Sequence, residues 1–446
     1  MGRSRFCDGV RRRDMLTIGA AGMFGAGLSM SQMLQLQAAA AEQGKSTDDI
    51  SLIILFLQGG ISTIDTWDMK PNAPAEFRGE FDPIATSVPG IQLCEHLPHL
   101  AQQMDKFSLV RSFAHRNSSH GHADHFILTG YHPTPAFDSK LKPNNEKPSH
   151  GSVIAKKLGP RGSVPAYVAL PKMHNSGGGA FLGSDADPFT VAADPNTPNF
   201  AVRDLAPPLT VPAARLGHRR DLLAMVDRYQ SSAEVAANQS ARALSTFQQR
   251  AFDLMTSPET KRAFDIGDES KKLRDEYGRH TLGQSCLMAR RLVEAGVRCV
   301  LVHHSDWDTH NDNFHMLKNR LLPKLDTGMS TLFRDLSDRG MLENTFVLVT
   351  GEFGRTPRIN KDAGRDHWGP STALAMGGGG MTNGIVVGDS GPRAERPVTN
   401  PYGPKDLAAT IYHSLGISPE TIFHTPEGRP MPIVPHGGKV IGELFS

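Results

Sequence analysis

The chain's apolar residues come in short runs, and this limits its fold more than any other feature. Ser51–Leu57 (SLIILFL), Phe107–Arg111, Ala166–Leu170, Val297–His303 (VRCVLVH), Thr345–Thr350 (TFVLVT), Thr372–Met376 and Ile385–Val387 are such runs. They are rich in β-branched residues and bounded by Gly or polar residues, so they read as buried strands. None approaches the roughly 18 residues of a membrane span. Helical patterns separate them: Glu95–Asp105, Ser119–Thr129 stopping at Gly130, Gly151–Leu158, Phe314–Arg339 with a bend at Pro323, and Asp406–Leu415 stopping at Gly416. Strands alternating with helices predict an α/β fold with a mostly parallel central sheet and helices on both faces. The stretch from about 171 to 295 starts irregular and turns helical, so it reads as an insertion in an α/β domain spanning 41–446.

Residues 1–40 read as an address. A basic start (RRRDML at 11–16) precedes an uncharged stretch, Leu16–Met30, and then the small residues Ala38–Ala41. That order makes a signal peptide, and Arg12-Arg13 resembles a twin-arginine signal read by that export machinery. The expected location is periplasmic or secreted. Five of the 48 basic residues and two of the 46 acidic ones lie in this segment, leaving a nearly neutral body. Nothing in such a body suggests a nucleic-acid binder. Four Cys are too few for a disulfide scaffold.

The unusual residues lie just past the expected strands, where open α/β sheets bind ligands. Asp65 and Asp68 follow the first run. His304, Asp306, Asp308, His310 and Asp312 follow Val297–His303. Glu352, Arg355, Arg358, Arg365, Asp366 and His367 follow Thr345–Thr350, and HRNSSHGHADH adds His115, His120, His122, Asp124 and His125. Imidazoles mixed with carboxylates suit a divalent metal, with zinc, manganese, iron and calcium as the options. The plainer reading is that these His cap helices or pair with acids for structure. Arg355 and Arg365 either grip an oxyanion with their planar forks or brace a loop. Trp67, Trp307 and Trp368 lie in the same loops and either wall the cleft, where they could stack on a sugar, or anchor the loops.

At these loops a resemblance becomes specific. LFLQGGISTIDTWDMKPNAPAEF, KFSLVRSFAH, DWDTHNDNF, LVTGEFGRTPRIN, GRDHW and RPVTNPYGPKDLAATIYHSLGI resemble the DUF1501 family of exported bacterial proteins. That family is similar in fold to the alkaline phosphatase and sulfatase superfamily. The resemblance implies an alkaline phosphatase-like fold, metal at the strand ends, and a phosphate or sulfate ester as substrate, a polysaccharide among the options. It implies metal ligands at Asp65, Asp306, Asp308, His310, Glu352 and His367. HGHADHFILTG resembles the sulfatase stretch that begins at the nucleophilic Cys, but His120 stands at that position. A formylglycine sulfatase is therefore disfavoured. Ser119 as nucleophile, His120 as nucleophile or ligand, and a site without catalysis all stay open, with Arg355 expected to steady charge on the ester oxygens.

Overall fold

The computed structural model describes residues 50–141, 143–202, 205 and 256–446. The expected signal peptide and the part of the helical stretch at 206–255 lie outside the described residues.

Eight strands form the central sheet: β1 (Ser51–Leu57), β2 (Ser108–Phe113), β3 (Tyr167–Leu170), β4 (Phe189–Thr190), β5 (Cys299–His304), β6 (Thr345–Thr350), β7 (Thr372–Gly377) and β8 (Val386–Val387). Their order across the sheet is β8-β2-β7-β6-β1-β5-β3-β4. β1 sits between β5 and β6 and runs parallel to both. Among the described residues the single departure from parallel pairing in this sheet is β7, antiparallel to β2 and to β6. Two antiparallel steps leave β2 pointing the same way as β6. The carboxyl ends of β1, β2, β5 and β6 therefore share one rim.

The main helices are α1 (His120–Thr129), α2 (His150–Leu158), α3 (Thr281–Glu294), α4 (Leu322–Asp338) and α5 (Pro404–Ser414). β1 shows why helices cover both faces. Ile53, Leu55 and Leu57 join a core with α3 and α4 residues such as Leu287, Leu325 and Met329. Leu52, Ile54 and Phe56 join a second core with Ile127 of α1, Ile154 of α2 and Ile411 of α5. Successive strand side chains point to opposite faces, so an uninterrupted apolar run needs cover on both sides. Within the stretch expected as an insertion, α3 lies directly against the sheet and supplies much of the first core.

Two helical expectations are modified. Glu95–Asp105 is not one helix: it holds a four-residue turn of helix, Pro98–Ala101, and a 3-10 turn, Met104–Lys106. Pro98 has no N–H to continue a ladder, and the amides of His99 and Leu100 donate instead to the Asp326 carboxylate on α4. The long helix around Pro323 contains a π segment, Leu317–Leu321, just before α4. The extra residue of that wider turn accommodates a proline that cannot donate. Among the described residues no helix is long and apolar enough to cross a membrane.

Candidate metal centre

The rim is assembled from four chain segments. β1 ends at Leu57, and past Gln58 the chain turns through Gly59 (φ 115°) and Gly60 (φ 86°), in the region that favours glycine. The turn is tight: a Cβ on Gly59 would lie 2.3 Å from the backbone nitrogen of Asp308. The Gly59 amide donates to both Glu352 oxygens, at 2.9 and 3.0 Å. Glu352 lies two residues past β6 and has no exposed surface.

His120 is the first residue of α1. Its Nδ1 is 2.6 Å from Glu352 Oε1 and its Nε2 is 3.2 Å from Asp308 Oδ2. Asp308 and His310 stand in the loop after β5. His367 stands on a short ladder in which His367–Trp368 pairs with Gly354–Arg355. His367 Nε2 lies 3.0 Å from Asp308 Oδ1, His310 Nε2 lies 3.1 Å from the same oxygen, and the two Nε2 atoms are 2.9 Å apart. His120, Asp308 and His367 form a group able to hold a metal ion, and His310 adjoins it through Asp308 and His367.

The outward sides of the rings carry the stronger signal. His120 Nδ1 meets Glu352, His310 Nδ1 meets Asp366 Oδ1 at 2.7 Å, and His367 Nδ1 meets the Ser118 carbonyl at 2.9 Å. A carbonyl or a carboxylate only accepts, so a proton on each Nδ1 satisfies these bonds and leaves each Nε2 with its lone pair. An oxygen acceptor on the far nitrogen is the usual support of a metal-ligating histidine. Donors with bonds of about 2.0–2.2 Å have edges of roughly 2.8–3.1 Å in octahedral and 3.3–3.6 Å in tetrahedral arrangements. The spacings here, 2.9 to 3.2 Å, lie nearest the octahedral edges. The residues fit a divalent ion.

Electrostatics separate the two acids. Partial burial opposes ionisation of Asp308, but Arg355 and then His367 and His120 outweigh it and hold the carboxyl well below the usual range. Complete burial pushes Glu352 up, the charge of Asp124 adds to this, and His120 opposes it. Burial disfavours a charged His120, yet Glu352 and Asp308 raise it above its ordinary value. One proton is thus held between Glu352 Oε1 and His120 Nδ1. Burial lowers His367 despite its bond to Asp308, and the charges of His120 and Arg355 add to the lowering.

Other expected site residues stand elsewhere or act differently. Asp65 is fully buried and its carboxylate faces Arg365 through two bonds, 2.7 and 2.8 Å, with Ser62 and Asn313 as further donors. Both its oxygens accept from donors of its own surroundings, so it is placed as an ion-pair partner of Arg365. Asp306 pairs with Arg320 at 2.8 Å and is exposed. Glu352 lies behind His120, its two oxygens committed to Gly59 and the ring. Arg355 is buried and turned inward: it donates to the carbonyls of Gly59, Gly60, Trp307 and Arg365 and to Asp308. Ser119 is exposed and precedes α1, its amide donating to Asn117 Oδ1. Trp67 and Trp307 are buried anchors, whereas Trp368 is half-buried beside His367.

Sequence reasoning missed the outer partners. Asp366 adjoins His367 in GRDHW and was legible as an acid near the cluster, not as the partner of His310. The Ser118 carbonyl carries no side-chain signal at all.

A histidine-rich centre with one inward carboxylate, on the carboxyl rim of a mixed α/β sheet, is the class of protein the fold and site define. The chain belongs to the family described as Protein of unknown function (DUF1501), which it matches over residues 49–445. No curated protein matches it. Among solved structures it is similar to the PsFucS1 sulfatase from Pseudoalteromonas sp., at 14% identity and TM-score 0.37, covering 86% of this chain and 70% of that one. It is also similar to the phosphonate monoester hydrolase SpPMH from Silicibacter pomeroyi, at 15% identity and TM-score 0.33, covering 89% of this chain and 76% of that one. A third is the lipoteichoic acid synthase LtaP from Listeria monocytogenes, at 10% identity and TM-score 0.32, covering 89% and 75%.

Proposed function

We propose that this protein is an exported, metal-dependent hydrolase of phosphate or sulfate esters, anionic polysaccharide included. One observation carries the metal: three imidazoles turn Nε2 toward the Asp308 carboxylate while an oxygen holds each Nδ1. His120, Asp308, His310 and His367 would hold the ion, with Glu352 and Asp366 behind them. Three imidazoles and a carboxylate suit zinc or manganese better than calcium, which prefers oxygen alone. When bound, such an ion polarises an ester and lowers the pKa of a nearby water. The ester class rests on the sequence resemblance, and export rests on the pattern in residues 1–40.

The chain's own groups have distinct tasks. Arg355 keeps Asp308 ionised, and Glu352 fixes the His120 tautomer. The exposed Ser119 hydroxyl lies at the amino end of α1, where the helix field favours an anionic ester. It is the candidate for contacting substrate oxygens or attacking them.

A second reading is a binding protein without turnover. It is favoured by His120 standing at the nucleophile's place with both nitrogens engaged, and by Arg355 being turned inward. Purified protein decides between them. Stoichiometric zinc or manganese, with release of phosphate or sulfate from nitrophenyl esters or sulfated polysaccharide that EDTA abolishes, supports the hydrolase. Saturable polysaccharide binding with no release after long incubation supports the second reading. Absence of both metal and binding rejects both.

A further inference from the structure

Beside the metal centre lies a second polar chain that the proposed chemistry does not use. Gln58 sits at its middle. Gln58 Oε1 is 2.7 Å from His303 Nε2, and Gln58 Nε2 is 3.2 Å from His174 Nε2. His174 Nε2 in turn lies 3.3 Å from Asp124 Oδ2. His174 Nδ1 accepts from the Ser176 amide, whose hydrogen is fixed, so a neutral His174 carries its proton on Nε2, where the Asp124 carboxylate accepts it; the Gln58 amide nitrogen is itself a donor and only packs against that atom. His174, His303 and Asp124 are respectively 3, 5 and 3% exposed. Gln58 itself is half-buried, and its amide oxygen is the group that holds the His303 ring at the end of β5.

The chain abuts the site at both ends of one turn. Asp124 lies four residues after His120 on α1, and its charge acts on both His120 and Glu352. Gln58 immediately precedes Gly59, and the Gly59 peptide is gripped at both its ends. Its N–H holds Glu352, and its carbonyl accepts from Arg355, which also holds Asp308. The Gln58 carbonyl accepts from the Trp307 amide, one residue before Asp308. A shift of this peptide therefore displaces both acids of the centre together. Backbone bonds fix the turn on one side, and the Gln58 side chain ties it to β5 through His303.

We infer that Gln58 and His303 are positioning residues, a tether that sets the Gly59 peptide and through it the geometry of the His120/Glu352 and Asp308/Arg355 pairs. The inference rests on the proposed metal site and specifies what holds it in register. Outer partners of metal ligands typically change affinity by about 10–100-fold when removed.

The test uses the full-length protein and cobalt(II) as probe, with affinity from chelator competition and geometry from the visible absorption of bound cobalt. His303→Phe removes the donor to Gln58 but keeps a planar ring. His303→Gln keeps a donor near the Nε2 position. The expected result is about 10–100-fold weaker cobalt binding and an altered spectrum for His303→Phe, with both restored toward wild type in His303→Gln. Melting of the metal-free proteins identifies which variants fold. If His303→Phe does not, Gln58→Leu is read in its place with the same expectation. A folded His303→Phe or Gln58→Leu protein with wild-type affinity and spectrum overturns the tether. Wild-type protein that binds no cobalt overturns instead the metal reading beneath it.

Discussion

His310 and His367 meet Nε2 to Nε2 at 2.9 Å, each with its other nitrogen on an oxygen acceptor. Two neutral rings so held would oppose two lone pairs, and a shared cation removes the conflict. Zinc or manganese is therefore expected to raise the melting temperature of the wild-type protein. At a hundredfold excess over Kd the gain is about 2.7 kcal/mol. His367→Ala should abolish that gain while changing the metal-free melt little, since the ring is partly exposed. Calorimetry with and without EDTA checks this; an equal metal shift in the variant counts against the centre.

Asp65 and Arg365 make a different prediction. Neither side chain has exposed surface, and their paired bonds close a salt bridge far from water. Removing one charge strands the other, which costs about 3–5 kcal/mol. Asp65→Asn should lower the unfolding free energy from urea titration by that amount, yet leave the folded fraction with its full metal complement. Loss of metal from folded Asp65→Asn protein would return Asp65 to the ligand set.

Acid should weaken the fold through its buried histidines. His115 and His150 are pushed down to about 4, chiefly by burial. The unfolded chain takes up protons near pH 6.5, before these rings can. Between about pH 6.5 and 4 the unfolded state therefore binds more protons, so stability falls as pH falls, by up to about 1.4 kcal/mol per unit per ring. Urea midpoints measured from pH 7.5 to 4.5 should decline steadily below 6.5. His150→Gln, which can still meet Tyr412 and the Ile127 carbonyl, should flatten the slope; an unchanged slope would acquit this ring.

The sheet was legible because its strands are short, apolar on both faces and followed by glycine or acid. Thr345–Thr350 was read at its observed bounds. The direction of β7 was not legible, because TALAMG reads the same whichever way it runs. For the site, Asp308, His310 and His367 stand out as imidazole and carboxylate past strand ends. Asp65 has the same local signature and a different fate, decided by Arg365 three hundred residues away. Glu352 likewise reads as a ligand until the turn at Gly59 claims both its oxygens. Residue type and strand-end position mark the rim. Which acid faces the centre depends on partners that come from other segments.

Arg355 shows how that choice is enforced, and it can be tested through pH. Its fork reaches carbonyls of Gly59, Gly60, Trp307 and Arg365 as well as the Asp308 carboxylate. A lysine offers three donors from one point and cannot span this set. Arg355 is also the main group lowering Asp308 against its partial burial. In Arg355→Lys the Asp308 carboxyl should rise toward its ordinary range, so protons compete with metal at higher pH than in wild type. The acid limb of metal binding should move upward in pH, with affinity at neutral pH reduced about tenfold or more. Titrations of cobalt binding between pH 4 and 8 measure both. An acid limb that stays in place would mean that Arg355 braces the loop without setting the charge of Asp308.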